Sequence, residues 1–195
     1  MVFGRTPGNF FMNKEDQYHD SERKLNIHAP WRIEYINMLS RKDQGCFLCR
    51  IRDEKDRDAE NLLLWRTKHS LVVMNRFPYS AGHLLIAPKE HIAQLEDMSS
   101  EAMLDMMQLA RDAQKLLATS MKAEGFNIGI NIGRCAGAGL EGHIHLHVVP
   151  RWSGDMNFMA VLSDVRVISQ SLTDLYHQLR QASIELNLPR VDSEE

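Results

Sequence analysis

Apolar residues recur along the chain with two different periods, and the changes of period mark its elements. From Trp31 to Leu39 the residues Trp31, Ile33, Tyr35, Ile36 and Leu39 predict a short helix, with Pro30 tolerated at its start. Two short apolar runs, Leu71 to Met74 and Leu84 to Ala87, are separated by Asn75-Arg-Phe-Pro-Tyr-Ser-Ala-Gly82. The Pro and Gly of that segment mark a reversal, so the runs predict a strand pair. Ser99 suits a helix N-cap with Glu101 in the first turn, and Met103, Met106, Met107, Ala110, Ala113 and Leu117 follow at helical spacing. The methionines among them read as core packing. From Asn127 the period becomes two, with Asn127, Gly129 and Asn131 opposite Ile128, Ile130 and Ile132. The same alternation resumes with His143, His145 and His147 opposite Ile144, Leu146 and Val148. Two adjacent strands sharing one polar and one buried face are expected there. A last helical pattern, Leu172, Leu175, Leu179, Ala182 and Leu186, ends before Pro189. Short strands with helices between them and no regular βαβ repeat predict an α+β fold: an antiparallel sheet with a long helix and a C-terminal helix.

Residues 1–28 show no sustained period and are expected to form a flexible arm, residues 29–188 a single domain, and residues 189–195 a loose tail. The charged run Arg50 to Glu60 reads as a solvated loop or frayed helix. Composition narrows the class. Of 195 residues 44% are hydrophobic and 25% charged, which excludes a disordered chain or a fibre. No apolar run reaches membrane-spanning length and the N-terminus has no signal-peptide core, so a cytoplasmic protein is expected. With 23 Lys and Arg against 26 Asp and Glu, net −3, there is no broad basic footprint for a nucleic-acid polymer, though a local cluster can still hold a phosphorylated small molecule.

The three alternating histidines are the strongest chemical signal. In a strand their rings point one way, about 6 to 7 Å apart. Imidazole is neutral near pH 7, nucleophilic, and able to move protons, so such a face suits covalent attack followed by transfer. Just before it, Gly133-Arg-Cys-Ala-Gly-Ala-Gly-Leu-Glu-Gly142 allows backbone amides to approach an anion, which makes this loop, with Gly137 and Gly139, a candidate phosphate cradle. Cys46 and Cys49 offer two thiolates, half of a tetrahedral zinc site, or alternatively a redox pair. Cys135 has no apparent partner and reads as a small filler.

The segment His143-Ile-His145-Leu-His147-Val-Val with Pro150-Arg151 resembles the signature of the histidine triad (HIT) family of nucleotide hydrolases and transferases. Most of residues 30–187 share in the likeness, through APWRIEYI, GCFLC, LVVMNRFPYSAGHLLIAPKEHI, NIGINIG and HIHLHVVPRWSGDMNFM. It is strongest to the bacterial branch acting on dinucleoside polyphosphates such as diadenosine tetraphosphate. The resemblance implies a HIT-like fold, His145 as the nucleophile that forms a nucleotidyl intermediate, His147 on phosphate or the leaving group, and His83 beside the nucleophile. It also implies Asn75 at the ribose hydroxyls, Asn131 at a phosphate, a homodimer, and a structural Zn2+ at Cys46, Cys49, His91 and His143. Gly139 stands where phosphorylase-type relatives carry Ser, which leaves water or phosphate open as acceptor. A nucleoside phosphoramidase and a zinc-ordered nucleotide-binding or sensing module are the alternatives.

Overall fold

The computed structural model of the chain describes residues 45–155 and 171–190. The expected arm (1–28), the predicted helix at 31–39 and the end of the expected tail (191–195) lie outside the described residues. Helix α1, Phe47–Asp53, follows an extended Cys46 and buries Leu48 and Ile51, three residues apart. It takes up the first part of the charged run expected as a loop or frayed helix; turns follow it. Strand β1, Leu63–Arg66, escapes the period analysis because its register shifts between Leu63 and Trp65, so Leu64 and Trp65 enter the same core and the alternation is lost. Strands β2, Ser70–Met74, and β3, Leu84–Pro88, form the predicted antiparallel pair, from Ser70 opposite Pro88 to Met74 opposite Leu84. Both are buried throughout, as strands covered on two faces must be.

Helix α2, Ser100–Met121, is capped as expected: the Ser99 hydroxyl accepts from the Ala102 amide at 3.2 Å. Its buried stripe contains Met106, Leu109, Ala110, Ala113, Leu116 and Leu117. Two of the methionines expected in the core turn outward, Met103 at 37% and Met107 at 57% exposure, because the stripe facing the sheet is narrower than the apolar stretch of the helix. Strand β4, Gly125–Ile130, pairs antiparallel with β5, Leu146–Arg151, and the sheet order is β1-β2-β3-β5-β4. Edge position explains why Ile128, expected to be buried, is 40% exposed. The C-terminal helix α3, Leu172–Glu185, begins at a Ser171 cap and buries Leu175, Tyr176 and Leu179. Beyond it the Arg190 amide donates to Asp112 at 2.6 Å, so the chain is still held at the start of the segment expected to be loose.

The sheet divides the molecule into two faces. On one, Val72, Leu84, Ile86, Leu146 and Val148 pack with α2 and α3. On the other, Leu63, Leu71, Val73, Leu85 and Ala87 pack with Leu48 and Ile51 of α1. Leu85 lies opposite His147 in the β3–β5 pairing, so the histidines continue this second face where α1 stops covering it. The strand that carries them begins later than the alternation suggests. His143 to His145 precede β5 and are anchored by the Ile144 amide, which donates to Ile92 O at 2.7 Å. The backbone before β5 is thus taken up by the segment after β3 instead of by a ladder.

Candidate active site and metal cluster

The turn between β2 and β3 sets the first imidazole. Gly82 lies at φ +80°, and a Cβ there would meet Met121 Sδ at 2.7 Å and Leu117 Cδ2 at 3.0 Å, so the turn lies directly against the end of α2. The Asn75 amide donates to His83 O at 2.9 Å and closes the turn. His83, 1% exposed, then receives the Tyr79 amide on Nδ1 at 3.1 Å and the Asn75 side-chain amide at 3.2 Å. With Nδ1 accepting, the ring's proton is on Nε2 and is donated to His147 Nδ1 at 2.9 Å. His147 therefore keeps its own proton on Nε2. His145, 7% exposed, donates from Nδ1 to His143 O at 2.9 Å, which leaves the Nε2 lone pair free. The His145 and His147 ring centroids are 4.9 Å apart.

Among the described residues no carboxylate is one of the groups that shift these imidazoles. Burial, then His147 and His145, pushes His83 down to about 3. Burial, then His145, pushes His147 down to about 4. Burial also holds His145 below the ordinary histidine range, against the opposing pull of the His143 carbonyl. At neutral pH all three are uncharged, the state in which an imidazole can act as a nucleophile.

His143 belongs by its side chain to a second cluster. Its Nε2–H donates to Pro88 O at 2.8 Å, and its free Nδ1 faces Cys46 Sγ at 3.1 Å and Cys49 Sγ at 3.6 Å. His91 Nδ1 lies 3.3 Å from Cys49 Sγ. The ligand atoms of Cys46, Cys49, His91 and His143 all lie within 4.8 Å of one another. Zinc bonds of 2.0 to 2.3 Å give tetrahedral edges of roughly 3.3 to 3.8 Å, and the three thiol–imidazole separations of 3.1, 3.3 and 3.6 Å lie close to that range. Two thiolates with two neutral imidazoles suit that ion, and the Pro88 carbonyl fixes the tautomer ligation needs. The four residues assigned to a metal from the sequence therefore meet in one place. Through the His143 backbone the cluster is also joined to His145.

The remaining expected contacts are placed less simply. Asn75 uses Oδ1 to accept the Phe77 amide at 2.9 Å, so its side chain shapes the turn as well as facing His83. Asn131 Nδ2 donates to Gly137 O at 3.4 Å and braces the glycine loop. Within that loop the Ala136, Gly137 and Ala138 amides bond to the carbonyls of Gly133 and Arg134. Gly137 takes φ +86° to close this turn, and Gly139 is exposed. Leu140 anchors the loop on the α1 core. Cys135 is exposed, which corrects its reading as a filler. Tyr79 and the carbonyls of Pro88 and His143 escaped the sequence analysis. Only Tyr79 had a signal, an aromatic four residues before His83; backbone carbonyls have none.

Residues 56–154 match the HIT domain family. The chain belongs to that family. Among relatives, the AP-4-A phosphorylase of Mycobacterium tuberculosis is 38% identical over 117 residues, 60% of this chain and 60% of that protein. The adenosine 5'-monophosphoramidase of Saccharomyces cerevisiae is 33% identical over 109 residues, 56% of this chain and 64% of that protein. In both cases the chain spans less than two thirds of the relative's length. A solved structure of a Zn-bound histidine triad family protein from Mycobacterium smegmatis superposes with TM-score 0.61 at 28% identity, covering 73% of this chain and 96% of that one. The fold expected from the triad is thereby shown.

Proposed function

We propose that this protein cleaves a phosphoanhydride of a dinucleoside polyphosphate, of the diadenosine tetraphosphate kind, through a nucleotidyl intermediate on His145. The observation that carries the reading is the 2.9 Å bond from His145 Nδ1 to His143 O, which leaves Nε2 as the attacking atom. Its lone pair bonds to the α-phosphorus, the bridging P–O bond breaks, and the leaving nucleotide takes the electron pair. The positive charge that develops on the ring is met by the His143 carbonyl already in place. Water or phosphate then displaces His145. His147, with its Nε2–H free, serves the phosphate or the leaving group, and His83 supports it. Asn75, Asn131 and the glycine loop with Gly137 and Gly139 bind the nucleotide, Asn75 through the donor and acceptor capacity its turn leaves over.

Likeness to the mycobacterial AP-4-A phosphorylase supports the substrate class. The yeast relative favours a second reading, removal of an amine from AMP. Incubation with diadenosine tetraphosphate, with and without phosphate, separates them. ADP with ATP appearing only with phosphate means phosphorolysis, and AMP with ATP means hydrolysis. An inert tetraphosphate beside rapid cleavage of an AMP amide establishes the phosphoramidase; binding without turnover of either leaves a sensing module.

Zinc held by Cys46, Cys49, His91 and His143 would fasten α1 to the segment after β3 and to the approach to β5, and would supply rigidity where the nucleophile is seated. Free thiols at 46 and 49 suit a reducing, cytoplasmic setting. Among the described residues no helix is long and apolar enough to cross a membrane. A homodimer belongs to the same proposal, as does the division into an arm at 1–28, a HIT domain at 29–188 and a tail.

A further inference from the structure

We propose that Arg66 is the positioning residue of the cysteine pair: from β1 it fixes the end of α1, so that Cys46 and Cys49 stand against His91 and His143 before a metal enters. The inference rests on the reading of that cluster as a zinc site and adds the residue that preorganises it. A helix of seven residues does not hold itself together in water. Its last four carbonyls, moreover, have no partner within the helix. The turn that follows serves two of them: the Glu54 amide donates to Arg50 O at 3.0 Å and the Lys55 amide to Asp53 O at 3.2 Å. The carbonyls of Ile51 and Arg52 both go to one side chain. Arg66 donates from Nη2 to Ile51 O at 2.8 Å and from Nη1 to Arg52 O at 2.9 Å, with a further bond from Nη2 to Glu54 O at 3.2 Å.

The guanidinium is itself held. Its Nε and Nη2 donate to Asp58 Oδ1 at 3.2 and 2.7 Å, and Asp58 O takes the Leu63 amide at 2.8 Å, at the start of the same strand. With its side chain only 12% exposed, Arg66 is a fixed fork and not half of a loose surface pair. Its charge also meets the negative end of the α1 dipole. From the helix itself, Arg52 Nη1 donates to Lys89 O at 2.9 Å. The preceding carbonyl, Pro88 O, is the one that takes the His143 Nε2–H. Two successive carbonyls at the end of β3 thus hold the thiol helix and one metal-facing imidazole, just ahead of His91. Ile51 and Arg52 follow Cys49 directly on the next turn, so a shift of the end of α1 moves both thiols. Partners of this kind, outside the ligand set, typically govern metal affinity by about 10- to 100-fold, because they remove the cost of gathering the ligands. Lysine is no substitute, since a single ammonium cannot reach Ile51 O, Arg52 O and Asp58 in the same geometry.

Zinc affinity, measured on the full chain by competition with a chromophoric chelator, separates positioning from general support of the fold. Arg66→Met keeps the aliphatic stem without a donor, Arg66→Lys keeps the charge, and Gly82→Ala is weakened elsewhere in the molecule; thermal melting establishes that each is folded at the assay temperature. Arg66→Met is expected to bind zinc about 10- to 100-fold more weakly, Arg66→Lys to recover only part of that loss, and Gly82→Ala to melt lower at unchanged zinc affinity. Hydrogen exchange of the α1 amides in reduced, metal-free protein gives a second readout: slow in the unaltered chain and in Gly82→Ala, fast in Arg66→Met. Should Arg66→Met not fold, Asp58→Asn, which keeps Arg66 but removes the charge that aims it, carries the same comparison. Unchanged zinc affinity in the folded variant, an equal loss in Gly82→Ala, or α1 amides that exchange freely in the unaltered metal-free chain would each overturn the proposal. A chain that takes up no zinc, but whose α1 is protected and is released by Arg66→Met, would end the zinc reading and leave Arg66 as the residue that seats the thiols.

Discussion

The proton on each imidazole of the site is placed by a neighbour: His143 O takes the one on His145 Nδ1, Pro88 O the one on His143 Nε2, and His147 Nδ1 the one on His83 Nε2. His145→Ala removes the Nε2 lone pair so presented. Turnover should fall by a thousand-fold or more, on the order expected for loss of a covalent nucleophile, while nucleotide still binds. Acid-quenched protein should then carry no radiolabelled nucleotide; label retained by this variant but lost in His147→Ala would assign the nucleophile wrongly. A stability effect follows from the same burial. His83 and His147 titrate at about 3 and about 4 in the folded chain, below an ordinary value of about 6.5. Between those limits the unfolded chain binds protons that the folded chain refuses, so stability is fully present above about pH 6.5 and is lost as pH falls toward 4. Urea midpoints at pH 7.5 and 4.5 should show a drop that His147→Asn reduces. The triad itself was legible in the sequence as an alternation. The tautomers were not, because they are set by backbone groups, Pro88 O and the Tyr79 amide, which no residue pattern marks.

Helix α1 is only seven residues long, yet it brings Cys46 and Cys49 to His91 and His143. A metal there joins three separate segments, so its binding energy is also folding energy. Purified protein should hold about one zinc ion per chain, and Cys49→Ser should lose it and melt at a lower temperature. Elemental analysis finding no metal in fully active protein would remove the site. The turn before β3 is the other sensitive element. Gly82→Ala forces a side chain to φ +80° beside Met121 and Leu117 and should cost about 1 to 2 kcal/mol, chiefly from the left-handed backbone, since the Met121 side chain can yield. Chemical denaturation measures it; an unchanged midpoint would mean that the turn relaxes freely. The elements with regular period, β2, β3, α2 and α3, were legible from sequence. Strand β1 was hidden by its bulge, and the start of β5 by a polar alternation that continues through residues paired elsewhere.

Assembly is where the exposed apolar surface is decided. Leu104 and Met107 of α2 are 59% and 57% exposed, and β4, with Ile128 at 40%, is an edge strand of the sheet formed by the described residues. An exposed apolar helix face and an edge strand each suit a two-fold partner, which would cover the one or continue the other. Light scattering should give about twice 22.4 kDa, and Met107→Glu with Ile128→Lys should return the mass to one chain. A single-chain mass in the unaltered protein at high concentration would refute the dimer. Periodicity and residue type, which are properties of neighbours in sequence, were enough to determine the α+β class, the antiparallel pairing around Gly82, the two long helices and the alternating histidines, while the grouping of Cys46 and Cys49 with His91 and His143 came from the family resemblance. Only the tertiary structure decided which face of α2 is buried, where the histidine strand begins and which nitrogen of each ring is free. Those depend on how the chain folds back on itself and on backbone carbonyls and amides, which nearly every residue carries and no sequence pattern distinguishes.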